Sequence, residues 1–118
     1  MRTTIALTFA AALAALASPA GAASFDCAKA KAPDEVAICA NPDLSALDSE
    51  MGGLWFAYDQ FPFLMGANGS RQDEARQFLD VRAACGADVS CLKGAYAVRN
   101  ATLKQQINMA MDQYCSPQ

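Results

Sequence analysis

With 118 residues, 53% of them hydrophobic and 18% charged, the chain has material for one small domain and not for a second. It contains no histidine, which removes the commonest general base and metal ligand at neutral pH; no cofactor is expected. A formal charge of −3 argues against a nucleic-acid binder working through a basic surface.

Residues 1–22 open with one basic side chain, Arg2, run on through the apolar stretch Ile5 to Ala17, and close in Ser18-Pro19 and the small residues Ala20-Gly21-Ala22. A charged start, an apolar middle and a small-residue end are the pattern of a cleaved export leader, with the cut placed after Ala22. The apolar stretch is shorter than the ~20 residues that span a bilayer. No cysteine stands at the cut to take a lipid, so no stable membrane anchor is expected after cleavage. Residues 23–118 then form a single periplasmic or secreted domain. Losing Arg2 leaves eight basic against twelve acidic side chains, a charge of −4.

The remaining pattern is helical. Pro33-Asp34-Glu35-Val36-Ala37-Ile38-Cys39 predicts one or two turns, with proline in the first turn and two acids at the positive end of the helix dipole. Asn41-Pro42 repeats the start signal, Asn41 as N-cap, and Leu44, Leu47, Met51, Leu54, Tyr58 and Phe61 then fall on one helical stripe. Gly52-Gly53 lies off that stripe and softens the helix by about 1 kcal/mol per glycine. Pro62 ends the run, and Phe61 to Gly69 reads as an apolar connection closing in a turn.

Ser70 is the predicted N-cap of the next helix, whose face carries Ala75, Phe78, Leu79, Arg82 and Cys85 up to a stop at Gly86. Asp88 caps a last helix with the stripe Leu92, Tyr96, Arg99, Leu103, Ile107, Ala110 and Tyr114. Nothing alternates as a strand does. The fold class is all-α: a small disulfide-stapled helical hairpin or three-helix domain, with no sheet.

Export to an oxidising compartment makes disulfides the default reading of the cysteines. Cys85 and Cys91 flank five residues, a length that joins two antiparallel helices, and a bridge there would clamp the hairpin. Cys27 and Cys39 enclose eleven, and their pairing would fasten the start of the domain to its first helix. Loop entropy assigns about 2.4 kcal/mol to the tighter ring and about 3 kcal/mol to the wider one. Spacing alone does not choose among the alternative pairings. Cys115 is left over in the favoured one.

Without histidine no Ser/His or Cys/His arrangement can form, the cysteines lack zinc-site spacing, and no glycine-rich phosphate loop is present. Glu35, Asp48 and Glu50 remain as acids, but any acidic helical domain offers such pairs by chance; the chain is not expected to be an enzyme. Arg82 and Arg99 place charge on apolar stripes and need acceptors. An ion pair between Asp48 and Arg99 is the expected solution, the alternative being that both arginines lie along the rim with their heads in water. Phe61 to Met65 either completes the core or offers an exposed anchor to a protein partner.

Phe25-Asp26-Cys27-Ala28-Lys29-Ala30, then Pro33, Glu35, Ile38-Cys39, Leu44, Leu47-Asp48, Met51 and Leu54 resemble the opening of the LprI-type lysozyme-inhibitor domain of bacterial envelope proteins. Arg82, Cys85, Cys91-Leu92, Tyr96, Arg99 and Leu103 are similar to that family's closing motif, so the resemblance spans residues 24–104. Trp55 stands where the family has tyrosine, and Phe78 where it often has tryptophan. The resemblance implies a disulfide-bearing helical domain of the periplasm that binds protein without catalysis, with lysozyme as the named partner. Such a partner is basic, so acidic side chains including Asp34 and Glu35 are expected at the contact, with Phe63 as its apolar anchor. The alternative is an envelope interaction or structural module with another protein partner.

Overall fold

The computed structural model describes residues 23–117; the expected leader, residues 1–22, lies outside the described residues. A 3-10 turn over Cys27–Lys29 leads into α1 (Pro33–Ala40), α2 (Pro42–Asp59), α3 (Met65–Cys85) and α4 (Val89–Cys115), and no strand occurs among the described residues. The chain is all-α, with one more helix than a three-helix reading requires.

Helix starts follow local chemistry. Pro33 opens α1, where the Glu35 carboxylate accepts the backbone N–H groups of Lys31 and Ala32 at 3.1 and 3.3 Å. The Asn41 side chain accepts the Leu44 N–H at 3.1 Å, and the Asp88 side chain accepts the Cys91 N–H at 2.9 Å. The Leu44 and Cys91 bonds satisfy donors that the first helical turn leaves open.

The start of α3 departs from expectation. The helix begins at Met65, five residues ahead of Ser70, whose hydroxyl donates to the Gly66 carbonyl from within the helix. The cause is a distant anchor. Arg71 is buried and donates to the Tyr58 and Phe61 carbonyls at 2.9 and 3.2 Å, closing the open end of α2 with a side chain from the first turns of α3. Holding Arg71 there fixes the preceding residues in register, and helix extends over Gly66 and Gly69 despite their poor propensity.

α4 packs along α2 and, over a shorter stretch, along α3. Ile38, Leu44, Phe78, Leu92 and Tyr96 form the central core, with Phe78 edge-on to Tyr96 at 5.2 Å. Leu103 and Ala110 are buried further along α4.

Cys27 bonds Cys39 and Cys85 bonds Cys91, with Cα separations of 5.8 and 5.5 Å. Cys115 is a free, exposed thiol. Two disulfides in so small a domain point to an oxidising, extracytoplasmic environment. No helix among the described residues is long and apolar enough to cross a membrane.

Candidate functional site

The polar centre of the domain is a buried charge cluster assembled from every helix. Arg82 on α3 donates from Nε to Asp34 on α1 at 2.7 Å; its other nitrogens lie 3.9 Å from Glu35 and 3.9 Å from Asp48 on α2. Asp48 is 0% exposed. Its Oδ1 accepts the Tyr96 hydroxyl of α4 at 2.7 Å, and its Oδ2 accepts the Ser24 N–H at 2.5 Å. Burial, followed by the hydrogen bond to the Asp48 carboxylate and then its negative charge, pushes the Tyr96 phenol well above its ordinary range. The Phe25 ring lies 5.4 Å from the Arg82 guanidinium. The cluster ties the amino-terminal segment and all four helices to one point.

This arrangement corrects the Asp48–Arg99 pair. Arg82 approaches Asp48 from α3, while Tyr96, three residues before Arg99 on α4, occupies the position facing the carboxylate. Arg99 lies instead 3.8 Å from Glu74, with the Trp55 and Phe78 rings 5.8 and 5.9 Å from its guanidinium. Burial lowers the Arg99 pKa, opposed by Glu74.

The three residues nominated for partner contact are also placed differently. Asp34 is only 3% exposed and is engaged by Arg82; Glu35 is half-buried and holds the start of α1. Asp34 is thus closed to a basic partner, whereas the Glu35 side chain keeps 33% of its surface exposed. Phe63 is half-buried in an aromatic cluster, edge-on to Tyr58 at 5.3 Å and to Tyr114 at 5.8 Å, with the Arg71 guanidinium 5.0 Å from its ring. The connection thus gathers its phenylalanines, half-buried, into this cluster and leaves Leu64 and Met65 outside, 84% and 92% exposed.

An apolar opening lies elsewhere. α3 and α4 are joined at one end by the Cys85–Cys91 bond and further along by a hydrogen bond from Gln106 to Glu74 at 2.7 Å. Between these ties runs an open groove of about 520 Å³ whose walls include Gln77, Phe78, Val81, Ala95, Val98 and Thr102. Val81 and Val98 are more than half exposed. Both escaped the sequence reading because they lie off the core stripes of their helices; two valines on the outer faces of a clamped hairpin were the available signal. A second hollow, about 560 Å³, follows α2 past Ser24, Gly52, Trp55 and Phe56. Among the described residues, no group of three or more His, Cys, Asp or Glu side chains is arranged to hold a metal ion.

No family model, curated protein or solved structure matches this chain.

Proposed function

We propose that the chain is an exported, periplasmic protein-binding module that acts without catalysis, and that lysozyme, the partner implied by the LprI-type resemblance, is its target. The observation that carries the binding role is the α3–α4 groove: an apolar slot on a hairpin held by a disulfide, with exposed valines on both walls. Exposed apolar surface on a rigid support is what a protein interface uses as its anchor. The buried acids support the same reading, since Asp34 and Asp48 direct their hydrogen bonds to structural partners. A domain charge of −4 after leader removal would speed encounter with a basic enzyme.

The test is the bacteriolytic rate of several lysozymes at low salt with the mature protein in molar excess. A rate that falls with added protein, and recovers as salt rises, is the expected result; an unchanged rate removes lysozyme as the target. A second reading, an envelope module for a different protein, is favoured by the groove's apolar rather than acidic lining, which suits a helix with a hydrophobic face. Recovery of one native envelope protein on the immobilised domain, abolished by Val98→Asp, would support it.

A further inference from the structure

The buried cluster is short of positive charge. Asp34 and Asp48 are both inside, Glu35 lies at the edge, and Arg82 is the one cation within 4.0 Å of any of them among the described residues. Arg82 gives its short contact to Asp34. In the interior Asp48 therefore meets a guanidinium only at 3.9 Å and, closer, two neutral donors, the Tyr96 hydroxyl and the Ser24 N–H. A buried carboxylate without a close cation is a costly arrangement.

The amino-terminal segment is built into this spot. Ala23 and Phe25 pack against the core. A Cβ on Gly52 would lie 2.8 Å from the Ser24 Cβ, closer than carbon atoms approach, so the segment rests on α2 at a distance that only glycine permits. The nitrogen of Ala23 is one peptide unit, roughly 3.8 Å or less, from the Ser24 nitrogen that touches Asp48, which keeps it within about 6 Å of the carboxylate.

We infer that Asp48 is the buried receptor for the α-ammonium that leader removal creates at Ala23, so that processing supplies the cation the core lacks. The inference rests on the reading of residues 1–22 as a cleaved leader. Hydrolysis adds water across the Ala22–Ala23 bond, leaving a carboxylate on Ala22 and an α-ammonium on Ala23. The uncut chain offers a neutral amide at that nitrogen. The charged and titratable groups around its proposed partner, Asp48 on α2, are Tyr96 from α4, Arg82 from α3, and Asp34 and Glu35 from α1 through Arg82. An ammonium gaining this partner has its pKa raised in the folded state. Its stabilisation is complete below the unfolded value of about 7.7 to 8.0 and is lost as pH rises through the folded value.

The experiment compares two chains that begin at Ala23, one with a free amine and one Nα-acetylated, both made by ligation at Cys27. Every helix and both disulfides lie within residues 23–117. At pH 6.5 the free amine is expected to melt about 5 °C higher, the gap closing in alkaline buffer and disappearing in Asp48→Asn. Equal melting at pH 6.5, or a gap that survives Asp48→Asn, overturns the inference. Should Asp48→Asn not fold, competitive labelling of the amine in the unsubstituted chain decides: a pKa above that of the unfolded amine supports the inference, and one at or below it overturns it. Mass analysis of the exported protein tests the leader separately, since an uncut product would remove the cleaved-leader reading and leave the melting comparison standing.

Discussion

Arg82 meets three carboxylates from two helices, and its removal would leave Asp34 buried without a cation and strip Asp48 of its guanidinium neighbour. Arg82→Met is expected to cost about 3 to 5 kcal/mol, measured by urea unfolding. Arg99→Met should cost less, because Glu74 is 42% exposed and keeps its hydration. Tyr96→Phe deletes one bond to a buried carboxylate, an expected loss of about 1.5 to 3 kcal/mol. The phenol's folded pKa lies above its ordinary 10.0, so its contribution is complete below pH 10 and declines as pH climbs toward the folded value. A spectrophotometric alkaline titration should lack its last-ionising phenol in Tyr96→Phe. Part of this arrangement was legible: Arg82 and Arg99 were recognisable as charges on faces that must be buried, with Asp48 as an acceptor. Their pairing was not, because periodicity assigns a residue to a face but says nothing about which neighbouring helix meets it, or at what height.

At the level of elements, adjacent glycines on α2 have opposite roles. A Cβ at Gly53 meets no atom within 4 Å, whereas one at Gly52 strikes the Ser24 Cβ. Gly53→Ala should therefore stabilise the helix by up to about 1 kcal/mol, while Gly52→Ala should lower the melting temperature by displacing the amino-terminal segment. The two substitutions differ by sign, and thermal melting of the pair checks them together. The Cys85–Cys91 bond closes a short loop, and its removal by the double alanine replacement should cost about 2.4 kcal/mol, again read from urea unfolding. Helix starts at Pro33, Asn41-Pro42 and Asp88 were readable because caps are local chemistry. The start of α3 was not, since Arg71 fixes it through carbonyls ten and thirteen residues earlier in the chain.

For the molecule as a whole, the proposed binding surface and the folded core are separable. Val81 and Val98 line the groove yet are more than half exposed, so Val81→Asp and Val98→Asp should abolish partner binding while moving the melting temperature by no more than about 3 °C. Loss of folding in either variant would mean that these valines belong to the interior after all. The all-helical class and the apolar stripes followed from composition and spacing, whereas the two cysteine pairs were the favoured choice among pairings that spacing left open. The groove did not, because an opening between two helices depends on how far their axes diverge, a quantity that no single helix encodes.

Tethering at both ends also sets a ruler. From Glu74 to Cys85 a helix advances about 16 Å, and the slot has sulfur at one limit and the Gln106 amide at the other. A guest lying lengthwise can therefore engage about three of its own turns before it must bend away or end, so selectivity would favour brief hydrophobic segments over extended ones.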